Sequence, residues 1–218
     1  MKFTSIGLGI AFGMACCGIG VAQEIKSFSF KGTDQGKVPG GWKAGQTGMG
    51  TGSVWKVVAD STVPSKSGFA LAQTAEGANI FNLCVAEDSK FNNGDISVAF
   101  KAIKGVSDQG GGLVWRFQDA NNYYVCRMNP LEDNYRLYKV VDGKRIQLAT
   151  REGLKVLVNE WHILKVKHVN GTIECFLDGM KMLEATDAAI AGAGKVGVWS
   201  KADAQTYFDN LTIHSTKE

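Results

Sequence analysis

The sequence predicts an all-β protein, an antiparallel jelly-roll sandwich of two curved sheets. Three observations carry this. Residues 110–148 alternate apolar or aromatic runs with turn chemistry: Leu113 to Phe117, Tyr123 to Met128 and Tyr135 to Val141 are separated by Asp119-Ala120-Asn121-Asn122, Asn129-Pro130-Leu131-Glu132-Asp133-Asn134 and Asp142-Gly143. Asn170-Gly171 and Asp178-Gly179 each sit between short apolar runs, the strongest local signal for a hairpin, because both central residues take positive φ. Helical spacing is confined to a short stretch around Thr186 to Ala191.

In order, Phe28-Ser29-Phe30 reads as a first strand, followed by a turn at Val38-Pro39-Gly40-Gly41-Trp42. Residues 54–59, 69–73 and 80–83 suit short strands, and 95–103 alternates Ile96, Val98 and Phe100 with polar neighbours as a half-buried strand does. After the central block come 161–169, 172–177 and 180–184 around the two hairpin turns, then 195–200 and 206–214, about a dozen strands in all. Trp115, Trp161 and Trp199 fall among apolar neighbours and are expected in the core, with Trp42 and Trp55 nearer turns and more exposed.

Met1-Lys2, an uncharged apolar run from Phe3 and the small-residue exit Gly20-Val21-Ala22 have the pattern of a secretory signal peptide cleaved after Ala22. A lipoprotein anchored through Cys16 is disfavoured because Gly13 occupies the place where an aliphatic residue is expected. The expectation is a single domain spanning 23–218, secreted or periplasmic, with no membrane insertion of the mature chain. Its formal charge falls from +3 to +2 with the loss of Lys2, and its Lys and Arg are interspersed with Asp and Glu, which argues against a nucleic-acid partner.

Cys84, Cys126 and Cys175 remain after the leader, an odd number that excludes a disulfide scaffold. Cys126 alternates with Tyr124 and Met128, and Cys175 with Ile173 and Leu177, so both read as buried small hydrophobes. The three histidines form no local constellation with a cysteine. Gly110-Gly111-Gly112 lacks the strand-to-helix setting of a phosphate loop.

Gly111-Gly112-Leu113-Val114-Trp115-Arg116, Asp119 through Arg127, Leu137-Tyr138-Lys139 and Asp142-Gly143-Lys144 together resemble the concanavalin A-like lectin/glucanase superfamily. Trp161-His162, Phe176-Leu177-Asp178-Gly179, Gly194 through Asp203 and Tyr207-Phe208-Asp209-Asn210-Leu211 resemble its laminin-G-like branch and the bacterial 3-keto-disaccharide hydrolase family. The resemblance covers roughly Phe28 to Ile213 and implies a ligand on or beside a concave sheet. It implies a glycan-binding domain, or a glycoside hydrolase acting on a 3-keto-disaccharide or related glycoside, or a laminin-G-like domain that contacts protein through its loops. The paired carboxylates of the family 16 glucanases, at alternate positions of one strand, have no counterpart here; Glu132-Asp133 are adjacent in a turn. Asp119, Glu132 and Asp133 are the candidate acids and bases if the protein is an enzyme.

Arg116 and Arg127 lie on adjacent expected strands and are read as facing one groove, where guanidinium groups suit sugar hydroxyls or carboxylates. Tyr123 and Tyr135 are the candidates for stacking on a sugar ring, with Asp119 and Asn122 at the rim. No cofactor is required on this reading. In similar sandwiches a carboxylate near the last strand joins the N-terminal region around calcium, which points to Asp209, with Asp34, as ligands of a structural ion.

Overall fold

The computed structural model describes residues 23–77 and 79–216, so the expected leader, with Cys16, lies outside the described residues. Fifteen strands and one short 3-10 helix (Gly32–Asp34) account for the regular structure among them. One antiparallel sheet runs in the order β13 (Met180–Thr186), β12 (Thr172–Leu177), β11 (His162–Val169), β6 (Gly94–Lys104), β15 (Gln205–Thr216), β4 (Phe69–Gln73), β3 (Trp55–Ala59), with β1 (Gln23–Phe28) also paired to β15. The other runs β10 (Lys144–Glu152), β9 (Asn134–Val141), β8 (Asn122–Asn129), β7 (Gly111–Asp119), β14 (Gly194–Lys201), β5 (Phe81–Phe91), β2 (Trp42–Thr47).

The expected jelly-roll sandwich is what forms. Asp142-Gly143, Asn170-Gly171 and Asp178-Gly179 close three tight hairpins with φ near 50° at the first residue and 74° to 83° at the glycine. The expected helix at 186–191 does not form: Thr186 ends β13 and the segment after it is irregular. There Asp187 accepts hydrogen bonds from Ala189 N and from the Tyr124 hydroxyl, which fix an Asx-type turn in place of a helix. The first strand begins at Gln23, earlier than expected, because residues 23–28 pair with the end of β15.

The main core lies between the sheets and includes Trp55, Val57, Leu71, Phe91, Phe100, Trp115, Tyr124, Leu137 and Phe208. Cys126 and Cys175 point into it from opposite sheets, and both are fully buried free thiols. Trp55 is therefore core, not exposed, while Trp161 lies just outside β11, half-buried, with its N–H donated to the Thr62 hydroxyl and the Lys101 ammonium 5.0 Å from its ring. Gly111 has a packing reason: a Cβ there would come within 2.5 Å of the Phe208 ring.

A second cluster occupies the far face of the seven-stranded sheet: Leu83, Val114, Tyr123, Val125, Tyr138, Val140 and Trp199. No strand or helix covers these side chains among the described residues, yet each is at most 4 % exposed. Such burial requires the sheet to curl so that the side chains of this face cover one another, and the face is concave.

Candidate functional site

Two contacts define the curl. Thr47 on edge strand β2 lies 2.8 Å, oxygen to oxygen, from the Tyr123 hydroxyl on β8, and Thr47 also donates to the Ala120 carbonyl. Arg145 on the opposite edge strand, β10, stacks its guanidinium 4.4 Å from the Tyr138 ring centre and 4.9 Å from that of Phe81 on β5. Phe81 in turn packs on Trp199, 5.4 Å between ring centres. The middle of the concave face is thus filled by its own aromatic side chains, and ligand space lies beside this filled centre.

One such space is a cavity of about 320 Å³ between β2, β5 and the end of β7. Its floor is Leu83, Val85 and Phe117, and its rim carries Lys43, Glu87, Gln118, Asp119 and Lys195. Phe117 is held by the Tyr123 ring, 6.0 Å away. Glu87 and Lys195 pair across the rim at 2.9 Å, and Asp119 is fixed by accepting from Asn121 N and the Asn122 side-chain amide. An apolar floor under a polar rim of both charge signs suits a ligand with one C–H face and several hydroxyls. A larger hollow of about 450 Å³ beside Glu76, Lys104 and Asp203 is less apt, because no aromatic side chain among the described residues lines it. Lys104 pairs with Glu76, and Asp203 accepts from the backbone N–H groups of residues 106–108.

A charged cluster lies at the Asn134 end of the same face, where Arg127 donates to Asn134 Oδ1 at 3.0 Å and to Glu132 Oε2 at 2.8 Å. Arg136 also reaches Glu132, and Lys201 pairs with Asp108 at 3.1 Å. Burial pushes the Asp108 carboxyl above its ordinary range despite the nearby Arg127 and Lys201 charges. Glu132 goes the other way: burial raises it, but hydrogen bonds from Arg127 and Asn134 outweigh that and hold it near 2.

The structure does not bring Arg116 and Arg127 together. In regular register Arg116 would share the concave face with Tyr123 and Arg127, but β7 bulges between Trp115 and Asp119 and Arg116 adopts φ of 45°. Its side chain leaves the groove for the sandwich end, where it donates to the Asn92 and Ile190 carbonyls, and Phe117 takes its place on the concave face. Tyr123 is on the concave face but wholly buried beneath the cavity, so it supports Phe117 and cannot stack on a ligand; burial raises its phenol to about 12. Tyr135 faces the interior instead, beside Met128, with its hydroxyl on Cys126 Sγ and the Phe176 carbonyl. Asp119 lines the cavity, and Asn122 reaches it only through Asp119. Among the aromatic and charged groups missed by sequence reasoning are Phe117, Tyr138, Trp199, Arg145, Lys43, Glu87, Lys195 and Asp108. The alternation of Arg136, Tyr138 and Val140 against Tyr135 and Leu137 was the signal that would have found Tyr138.

Asp209 is fully buried and spends both carboxylate oxygens on Ser65, accepting from its N–H at 2.8 Å and its hydroxyl at 3.0 Å. Asp34 lies 3.8 Å from the Lys37 ammonium. No group of three or more His, Cys, Asp or Glu side chains able to hold a metal occurs among the described residues.

No protein-family model matches the chain, and no curated protein does. Solved structures do. A carbohydrate-binding module, CBM66, from Bacillus subtilis aligns with a TM-score of 0.62 at 17% identity, covering 79% of this chain and 94% of the module. A protein of unknown function from Shewanella oneidensis aligns at 0.56 and 14% identity, covering 91% and 89%. The β-glucanase of Bacillus licheniformis aligns at 0.51 and 12% identity, covering 82% and 99%. The chain shares their jelly-roll fold. At these identities the likeness is one of architecture, and the chemistry rests on the residues of this chain.

Proposed function

We propose that this is an exported glycan-binding domain that takes a sugar unit in the cavity floored by Phe117, Leu83 and Val85. The cavity carries the reading: it is the space on the concave face that combines an apolar floor with a hydroxyl-matching rim. The fold shared with a carbohydrate-binding module and a β-glucanase supports it. The leader-like residues 1–22 support export to the periplasm or beyond.

Gly45 on β2 supplies a test, because a Cβ there would meet nothing within 4 Å and the residue lines the cavity. The purified protein is screened against neutral and charged oligosaccharides and 3-keto-glycosides, with calcium and with chelator, following binding and product mass. Gly45→Leu is expected to abolish the glycan binding found in the wild type while leaving the melting temperature unchanged. Binding that survives this substitution places the ligand elsewhere and sinks the cavity assignment.

A hydrolytic reading is favoured by one observation, the separation of Asp108 and Glu132. Burial raises the Asp108 carboxyl while hydrogen bonds from Arg127 and Asn134 lower that of Glu132, opposite shifts in two carboxyl groups that share Arg127 as a neighbour. On that reading new product masses appear in the screen and vanish in Asp108→Asn. Absence of any product over the panel leaves the binding function alone.

A further inference from the structure

Of the five arginines in the sequence, Arg116, Arg127 and Arg136 donate to named protein acceptors, and Arg151 is exposed to solvent. Arg145 differs. Its guanidinium is clamped between the Phe81 and Tyr138 rings, 4.9 Å and 4.4 Å from their centres, and no hydrogen bond or ion pair engages it among the described residues. Its Nη1 is sequestered from solvent without an acceptor. Stacking between two rings fixes the plane of the guanidinium and so pre-organises its donor edge, while leaving the donors themselves unused.

The surroundings select the acceptor. Gln147, two residues along β10, faces the same side as Arg145, since the pairs Arg145↔Val140 and Gln147↔Tyr138 both lie on the concave face. Gln147 is exposed and Phe81 is half-buried, so an amide and part of a ring flank the guanidinium. Among the described residues no carboxylate pairs with Arg145, whereas Glu132 and Glu152 are taken by Arg136. A planar guanidinium without a counter-ion fits a planar carboxylate bidentately.

We infer that Arg145 is the anchor of a second subsite on the concave rim, one that recognises the carboxylate of an acidic sugar of the uronate class, with Gln147 positioned for its hydroxyls. The sugar part of this assignment rests on the glycan-binding reading above; the carboxylate part does not.

The test is an NMR titration of the purified protein with sodium glucuronate, glucose and sodium acetate, observing the Arg145 Nε–H resonance, assigned from its loss in Arg145→Lys. Glucuronate is expected to shift it saturably. Glucose at the same concentration leaves it in place, and acetate binds about tenfold more weakly for want of the hydroxyl contacts. Arg145→Lys keeps the charge and the aliphatic stem but lacks the planar fork, so glucuronate affinity falls about tenfold or more in a protein that still folds. An Arg145 resonance unmoved by glucuronate, or equal affinity in Arg145→Lys, overturns the subsite. Equal affinity for acetate and glucuronate overturns the sugar as its occupant. A neutral oligosaccharide lost in Gly45→Leu, with Arg145 silent to glucuronate, overturns this subsite while leaving the cavity function standing.

Discussion

The Thr47 and Tyr123 hydroxyls meet at 2.8 Å although their strands, β2 and β8, stand four places apart in the sheet. In a flat sheet four spacings amount to roughly 19 Å, more than two side chains of this size can bridge. The contact is therefore a measure of curvature: it closes one end of the concave face and roofs Tyr123, on which Phe117 and the cavity floor rest.

Because Thr47 donates to Ala120, Tyr123 is the donor in the Thr47–Tyr123 bond. Tyr123→Phe removes a donor and leaves Thr47 its other bond, which is expected to cost about 1 kcal/mol. Thr47→Val strands both the buried Tyr123 O–H and the Ala120 carbonyl, and the expected loss is about 2 to 3 kcal/mol. Urea unfolding of the two variants measures the difference. A Tyr123→Phe variant as damaged as Thr47→Val contradicts this assignment of donor and acceptor.

Much of the architecture was legible because its causes are local. Asn170-Gly171 and Asp178-Gly179 need only their own positive φ to turn the chain, and the alternation around Cys126 and Cys175 suffices to point both inward. The site was less legible because its causes are not local. Strand alternation alone puts Arg116 on the same face as Arg127, and only a bulge of two extra residues in β7 turns it away. Arg145 and Phe81 are 64 positions apart in sequence and five places apart in the sheet, so nothing short of the curl itself brings them together. The same curl fills the middle of the concave face, where an open groove was expected, with Tyr123, Tyr138 and Trp199.

The cysteines yield a second prediction. Cys84, Cys126 and Cys175 are fully buried free thiols, and burial pushes the Cys84 thiol well above its ordinary value. A thiol that solvent cannot reach does not react with disulfide reagents, and all three are wholly buried. Residues 23–218, prepared without the preceding segment, are expected to give no thiol equivalents with a chromogenic disulfide when folded and three after unfolding in denaturant. Fewer than three on unfolding without reductant indicates a disulfide and contradicts this description.

The charged end of the concave face yields a third. Glu132 is held near 2 in the folded state, below its unfolded value, by Arg127 and Asn134. Its contribution to stability is present above the unfolded carboxyl range and is lost as pH falls through 2. Glu132→Gln removes that contribution and leaves the nearly buried Arg127 guanidinium facing a neutral amide. The variant is expected to be less stable than the wild type at pH 7, and the gap to narrow toward pH 2. A gap constant with pH excludes the carboxylate as the source.

His168 yields the fourth and works at milder pH. It is fully buried between Trp115 and Tyr124, and its Nδ1 accepts the Trp115 indole N–H at 3.0 Å, which fixes the neutral tautomer with the proton on Nε2. Burial and the nearby Arg116 charge lower it to about 4, against the pull of Asp187. Between the unfolded value of about 6.5 and the folded value the unfolded chain holds a proton that the folded one refuses, so stability rises with pH across that interval and is fully present above it. The amplitude is on the order of 3 kcal/mol for the full shift. His168→Gln keeps an acceptor for Trp115 and removes the titration, so the wild-type excess in pH dependence from about 4 to 6.5 is expected to vanish in unfolding free energies measured across that range. Parallel curves for the two proteins eliminate His168 as the titrating group and leave the carboxylates to account for acid sensitivity.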